Sequence, residues 1–142
     1  MNITGTLTDV LLIEDSSQIG HARRTAQKLA EHIGFDATDA GRVALVATEL
    51  ASNVLKHATR GELHLRTLPF ENGHGIEMLA VDRAQGFDLQ ACLADGFSTG
   101  GTQGIGLGAV SRQTDVFDVY ADSRGAVLLA RLYPRTHKVT DL

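Results

Sequence analysis

Residues 47–58, ATELASNVLKHA, hold the pattern from which both the fold and a functional site can be predicted. Glu49 and Asn53 are four residues apart, so on a helix their side chains share one face, about one turn from each other. The pattern predicts an amphipathic helix with a carboxylate and an amide at the edge of the core. The apolar stripe beside them consists of Val43, Val46, Leu50 and Val54.

This pair has a chemical and a purely structural interpretation. A carboxylate can accept a proton from a hydroxyl, and an amide oxygen can bind a hard cation such as magnesium. The same residues also fit a surface glutamate and a hydrogen-bonded asparagine on an ordinary helix. The rest of the chain decides between these two interpretations.

Length and composition predict one domain, residues 1–142, with an aliphatic core. The chain is 43% hydrophobic and 21% charged, and it has no tryptophan. Its net charge of −4, without a basic block, argues against a nucleic-acid surface. No apolar run approaches the roughly 20 residues of a membrane span, and the N-terminus lacks a secretory signal pattern. The lone Cys92 excludes an internal disulfide and suits a reducing cytosol, so we expect a cytoplasmic protein.

Hydrophobic periodicity and turn residues predict an α+β fold. Strand patterns lie at residues 6–13, 62–68, 76–82, 116–121 and 126–132, and helical patterns at 18–33, 36–57, 89–93 and 107–114. Gly34 is expected to end the first helix, and Asp36 or Thr38 to cap the second. The arrangement predicts two layers, a mostly antiparallel sheet of about five strands with helices on one face. Residues 133–142 are expected to form a loose tail.

A glycine-dense segment, DGFSTGGTQGIGLG at residues 95–108, leads into the last predicted helix. Glycines let backbone N–H groups approach a ligand, and a helix N-terminus offers unpaired N–H groups and a positive dipole end, which suits phosphate. No Gly-Lys-Ser/Thr is present, and no predicted strand directly precedes Gly104, Gly106 and Gly108. The segment is therefore neither a Walker loop nor a dinucleotide fingerprint. A surface loop without a ligand is the alternative.

Three blocks in this order resemble the GHKL ATPase superfamily, which includes gyrase, the heat-shock chaperone ATPases, MutL and histidine kinases. The blocks are Glu-Leu-x-x-Asn on a helix, Asp at a strand end followed by a glycine, and a glycine loop opening a helix. Within the superfamily, the chain is most similar to the short anti-sigma-factor serine kinases of the RsbT, RsbW and SpoIIAB group, and to the kinase-like N-terminal domain of some SpoIIE-type phosphatases. The resemblance includes IGFDATDAGRVALVATELASNVLKHA, GFSTGGTQGIGLGAV and DVFDVY.

The resemblance implies a role for each block. Asn53 would coordinate a magnesium ion that bridges the phosphates of ATP, and Glu49 would act as base toward the attacking hydroxyl. Asp82 would accept a hydrogen bond from the adenine amino group. The other implied nucleotide-binding positions are Gly86, the lid glycines Gly100 and Gly101, and the second glycine box with Gly104, Ile105, Gly106, Leu107 and Gly108.

Two departures from the family pattern lie at the adenine end. The first glycine box usually reads Asp-x-Gly-x-Gly, but residues 82–86 are DRAQG, so Ala84 adds a methyl group where the backbone normally passes the base. The last hairpin of the family often has Gly-Thr, and here Gly125-Ala126 lacks that hydroxyl. We expect ATP still to bind, with lower affinity or altered base selectivity.

The resemblance implies an ATP- and Mg²⁺-dependent protein serine kinase that phosphorylates a STAS-domain anti-anti-sigma protein in a bacterial partner-switching cascade. A sigma factor or a fused or associated SpoIIE-type phosphatase are further implied partners, and the resembled kinases include homodimers. The alternative is a module that binds a regulator in a nucleotide-dependent way without transferring phosphate. The altered adenine end favours that module, whereas Glu49 beside Asn53 favours the kinase, because a binding module needs no base.

Overall fold

The computed structural model describes residues 8–57, 60–71, 73–82, 102–122 and 125–135. Within these residues the chain forms, in order, β1 (Thr8–Ile13), α1 (Ser17–His32), α2 (Ala37–His57), β2 (Gly61–Phe70), β3 (Gly73–Asp82), α3 (Thr102–Gln113), β4 (Val116–Asp122) and β5 (Gly125–Leu132). The predicted helix at 89–93 and the end of the predicted tail lie outside the described residues.

The strands form one antiparallel sheet in the order β1-β2-β3-β5-β4. β2 and β3 pair as a hairpin from Gly61 opposite Asp82 to Phe70 opposite Gly73. β3 is the middle strand, which agrees with the apolar sequence of residues 76–82. The predicted α+β class, with an antiparallel sheet of about five strands, is confirmed.

The three described helices form one layer, because α1 packs against α2 and α2 packs against α3. Small residues make this packing close: Ala22, Ala26 and Ala30 of α1 are fully buried. α2 lies over the sheet. The apolar stripe that the sequence predicts for α2 is part of the core, and so are neighbouring alanines of this helix. Within the described residues, no helix combines the length and the apolarity that crossing a bilayer requires.

The link between α1 and α2 follows its sequence signals. Gly34 has φ 102°, and its N–H donates to the carbonyl oxygen of Glu31, while the N–H of Phe35 donates to that of Ala30. These two bonds form a Schellman motif, which favours glycine at the left-handed position. Asp36 caps α2, since its Oδ1 accepts the N–H of Asp39 at 2.9 Å. The predicted helix end and one of the two predicted caps are thus confirmed.

The third helix differs from the prediction. α3 begins at Thr102 rather than at residue 107, so three glycines of the dense segment lie within it. Helix propensity alone disfavours this, because each interior glycine costs about 1 kcal/mol relative to alanine. Leu107 and Val110 are buried in the core, and α3 packs against α2. This tertiary packing outweighs the local preference of the glycines.

A polar network holds the last described residues against the first half of α2. Arg42 Nη2 donates to the carbonyl oxygen of Tyr133 at 2.6 Å, the N–H of Tyr133 donates to Asp115 Oδ2 at 2.8 Å, and the N–H of Arg135 donates to Asp39 Oδ2 at 3.0 Å. Burial lowers the pKa of the Arg42 guanidinium, and the nearby Arg135 charge lowers it further. Asp39 Oδ1 lies 3.7 Å from Arg42 Nη1, and Asp115 Oδ2 lies 3.9 Å from Arg42 Nη2. Both carboxylates raise the pKa of Arg42 and so oppose this shift.

Gly61, the first residue of β2, sets how α2 rests on the sheet. A Cβ atom at this position would overlap the carbonyl oxygen of Val81 on β3 and would lie 2.7 Å from Val54 Cγ1 on α2. The space that a methyl group would need is therefore filled by the neighbouring strand and by the helix. Only glycine allows β3 and α2 to approach this point together.

We predict that Gly61→Ala lowers the free energy of unfolding by ~1–3 kcal/mol, because the added methyl group overpacks the junction of helix and sheet. Gly41→Ala is the matched control: Gly41 lies in α2, and a Cβ atom there would meet nothing within 4 Å. It should stabilise α2 by ~0.5–1 kcal/mol. Urea unfolding measures both, and equal stability of the two variants would contradict the proposed packing.

We also predict that Arg42→Ala lowers the free energy of unfolding by ~3 kcal/mol, because a buried charge network loses its central cation. Arg42→Met keeps much of the apolar stem, so it separates the loss of packing from the loss of charge. Arg23→Ala, at an exposed position of α1, should change stability by no more than ~0.5 kcal/mol. Thermal unfolding is the measurement, and similar losses for Arg42→Ala and Arg23→Ala would contradict the assignment.

Candidate functional site

Glu49 and Asn53 lie one turn apart in the second half of α2, as the sequence predicts. Asn53 is 6% exposed, whereas Glu49 is half-buried. The amide therefore lies at the edge of the core and the carboxylate nearer to solvent. A carboxylate in that position is accessible to a hydroxyl group that approaches from outside.

The Asn53 side chain has a buried group that the described protein atoms do not satisfy. Its Nδ2 atom is buried and has no hydrogen-bond partner among the described residues. Burying an unsatisfied amide costs about 1–3 kcal/mol. A bound polar ligand would remove this cost, because an amide can donate to a phosphate or, when rotated, present its oxygen to a cation.

Asp82 lies at the same end of the molecule as Asn53. It is the last residue of β3, it is 4% exposed, and it pairs with Gly61 on one side. Gly61 in turn lies against Val54, the residue after Asn53. The packing of α2 on the sheet therefore brings the amide and the buried acid to one edge of the core.

Ala126 is next to Asp82 on the other side. The two residues are paired across β3 and β5, and Ala126 is 3% exposed. The hydroxyl that the family pattern often has here would thus lie beside the buried acid. Ala126 contributes only a methyl group at this position.

The second glycine box lies in the first turns of α3. Gly104 is the third residue of the helix, where the N–H group has no partner within the helix, and Ile105 follows it. Gly106, Leu107 and Gly108 come later, and Leu107 is 2% exposed in the core. Helix geometry directs the N–H groups of Gly106 and Gly108 to carbonyl oxygens four residues earlier. Gly106 and Gly108 therefore lie inside α3 and not before or at its start, and Leu107 anchors α3 in the core.

Several expected site residues lie outside the described part of the chain. They are Gly86, Gly100 and Gly101, and also Ala84 of the first glycine box. The described residues bring a carboxylate, a buried amide and a buried acid to one edge of the core, and the helix that holds the second glycine box packs on α2. This set can orient a hydroxyl nucleophile and hold a phosphorylated ligand.

The sequence motifs do not predict the network around Arg42. Arg42 precedes Asn53 by 11 residues on α2, about 16 Å along the helix, so this network is at the other end of the molecule. Asp39 and Arg42, three residues apart on α2, are the only local signal. The other members of the network, Asp115, Tyr133 and Arg135, come from distant parts of the sequence.

Comparison with known proteins agrees with the resemblance seen in the motifs. A family model described as a histidine kinase-like ATPase domain matches residues 13–132, which is more than half of the chain. The chain is 31% identical to the serine/threonine-protein kinase RsbT of Bacillus subtilis (strain 168) over 99 residues, or 69% of this chain and 74% of that protein. The region that the family model matches includes α2, β2, β3 and α3, and so all the described site residues. The chain belongs to the histidine kinase-like ATPase family.

Proposed function

We propose that the protein is an ATP-dependent protein serine kinase. The observation that carries the proposal is the half-exposed Glu49 one turn from the buried amide of Asn53, at the edge of the core where Asp82 lies. A site that only binds nucleotide has no use for a carboxylate beside the amide. Similarity to a serine/threonine-protein kinase supports the same reaction class.

In the proposed reaction a serine Oγ of the acceptor protein attacks the γ-phosphorus of ATP. The Oγ–P bond forms, the bond from that phosphorus to the β–γ bridging oxygen breaks, and ADP leaves. Glu49 accepts the hydroxyl proton, which a carboxylate at the solvent side of α2 can do. The protein has little covalent chemistry to perform in phosphoryl transfer, so positioning of the two reactants dominates.

The residues present fit the nucleotide and its cation. Asn53 would hold a magnesium ion through its amide oxygen, and magnesium commonly uses only one or two protein ligands besides substrate phosphates. When bound, magnesium neutralises charge on the phosphates. Asp82 would accept a hydrogen bond from the adenine amino group, a charge-assisted contact worth about 1.5–3 kcal/mol. The N-terminal turn of α3, with Gly104 and Ile105, would face the phosphates.

The acceptor is proposed to be a STAS-domain anti-anti-sigma protein, as in a bacterial partner-switching cascade in the cytosol. A sigma factor and a SpoIIE-type phosphatase are the corresponding further partners. This part of the proposal rests on similarity to the anti-sigma-factor kinases, whereas the reaction class also rests on Glu49 and Asn53. The two parts can fail separately in the experiments below.

A second function is favoured by Ala126. This methyl group faces the position of Asp82 on the neighbouring strand, so the adenine end has one hydrogen-bonding group fewer than the family pattern. A domain with weakened nucleotide contacts would serve as a binding module that holds its regulator in a nucleotide-dependent way. In that case phosphate is not transferred, and Glu49 has no catalytic task.

We predict that Asn53→Ala and Asp82→Asn each weaken ATP binding by at least tenfold, but in different ways. Loss of the Asn53 amide should abolish the gain in affinity that magnesium gives. Loss of the Asp82 charge should reduce the preference for ATP over GTP. Calorimetric titration of ATP, ADP and GTP with and without magnesium measures both effects. Unchanged affinities in both variants would rule out a nucleotide at this edge of the core.

We predict that Glu49→Gln lowers the rate of phosphate transfer by about 10²–10⁴-fold while ATP affinity stays within about twofold, because general-base catalysis contributes this much. Labelled ATP, magnesium and a cognate STAS-domain protein are the reagents. Glu31→Gln, at an exposed position of α1, is the control and should transfer at the wild-type rate.

The same assay separates the two functions. Transfer that survives Glu49→Gln would remove the base role. Absence of transfer by the wild-type protein, together with regulator affinity that changes when nucleotide is added, would identify the binding module instead. Regulator affinity that is identical with and without nucleotide, and in Asn53→Ala, would contradict that module as well.

A further inference from the structure

Arg42 lies on the same face of α2 as the two expected site residues. It precedes Glu49 by seven residues and Asn53 by eleven, and both spacings return to one side of a helix. Arg42 and Asn53 are buried and Glu49 is half-buried, so other parts of the fold cover much of this stripe. Of the described helices, α1 and α3 pack on α2. One stripe of α2 therefore carries the carboxylate and the amide near one end and a buried guanidinium near the other.

Asp115, two residues after the end of α3, links that guanidinium to the exit of the helix. Its Oδ2 atom lies 3.9 Å from Arg42 Nη2 and accepts the N–H of Tyr133 at 2.8 Å. Its own N–H donates to the carbonyl oxygen of Arg131 at 2.9 Å. Arg42 Nη2 also donates to the carbonyl oxygen of Tyr133 at 2.6 Å. The pair Arg42–Asp115, which we call the α2–α3 tie, thus holds the exit of α3 to the first half of α2 and to the end of β5.

The α2–α3 tie has a cost that stability alone does not explain. The Arg42 side chain is 6% exposed, and its Nε and Nη1 atoms have no hydrogen-bond partner among the described residues. A buried ion pair is often no more stabilising than well-packed apolar side chains of similar volume. It can instead define one arrangement of the elements that carry it, because any other arrangement leaves the buried charge without its partner. The elements that the tie joins are α2 and α3.

The lengths of the two helices on the site side of the tie are similar. Asn53 lies about 16 Å from Arg42 along α2, at 1.5 Å per residue. Gly104 lies about 14 Å along α3 from Gln113, the last residue of this helix, and Asp115 follows two residues later. A helix that runs back along α2 from the tie therefore has the length to bring the first turn of α3 to the level of Asn53.

From the tie and these lengths we infer that Arg42 and Asp115 are positioning residues. They set how far α3 lies along α2, and hence where the second glycine box stands relative to Asn53. α3 needs such a fixed point, because three glycines lower its helix propensity and its place depends on tertiary contacts. ATP as the ligand rests on the proposed function, whereas the tie itself can be measured without nucleotide.

Hydrogen exchange of the nucleotide-free protein tests the tie. We expect Asp115→Asn to speed exchange of the α3 amides at least about tenfold through local opening, and that of the α1 amides by less than about twofold. Asparagine keeps the size of the side chain and an oxygen for the Tyr133 N–H, so mainly the charge is lost. Arg42→Lys keeps the charge but lacks the planar fork, and it should act in the same way. Ala30→Gly is the control: this fully buried residue of α1 lies outside the tie, so exchange in α3 should not change.

Titrations of ATP and of adenosine test the consequence for the site. We expect Asp115→Asn and Arg42→Lys to weaken ATP binding about five- to twentyfold, which is in the usual range for coupling between distant sites. Adenosine has no phosphate for the glycine box to hold, so its affinity should stay within about twofold of the wild-type value. A purely structural role would weaken both ligands together, because the whole fold would loosen. Ala30→Gly should accordingly leave the ratio of the two affinities unchanged.

Two results would overturn the inference. The first is exchange in α3 that Asp115→Asn leaves unchanged, because the tie would then not hold the helix. The second is faster exchange in α3 while ATP and adenosine keep their wild-type ratio of affinities, because the position of α3 would then not affect the site. A wild-type protein that binds neither compound would contradict the proposed function, and exchange in α3 would still decide whether the tie positions the helix. Circular dichroism checks that each variant is folded.

Discussion

The absence of a side chain at Gly61 is the constraint on which the rest of the structure depends. At this residue the start of β2, the end of β3 and the second half of α2 come together, and a single methyl group would separate them. Asp82 is the cross-strand partner of Gly61, and Asn53 is adjacent to the valine that lies against it. The relative position of the two ends of the proposed nucleotide site therefore depends on the backbone packing at Gly61.

Much of this architecture follows from local sequence. The apolar stripe of α2 predicts the buried side of the helix, and the spacing of Glu49 and Asn53 predicts that they lie one turn apart. Gly34 and Asp36 mark a helix end and a helix start because each supplies a conformation or a hydrogen bond that few other residues supply. The apolar strand at 76–82 predicts a central position in the sheet. Each of these signals concerns residues that are close in sequence.

The features that the sequence does not predict depend on residues far apart in the chain. α3 starts at Thr102 because Leu107 and Val110 pack against the core, which local propensity cannot reveal when three glycines are present. The network around Arg42 needs partners more than 70 residues away. The proximity of Ala126 to Asp82 likewise follows only from the pairing of β3 with β5. The chemistry of the site is thus readable in the sequence, whereas its supporting contacts are not.

The position of the helical pair α1–α2 between β1 and β2 has a consequence for how the chain folds. β1 ends at Ile13 and its partner β2 begins at Gly61, so this ladder closes a loop that contains both helices. The α1–α2 pair and the β2–β3 hairpin join neighbouring segments and carry a smaller entropic cost of closure. These two local units would form first. β1 would join the sheet late, because its pairing with β2 connects residues that are further apart in sequence than those within either unit. As an edge strand with one hydrogen-bonded neighbour, β1 could also be released while the other ladders of the sheet stay intact.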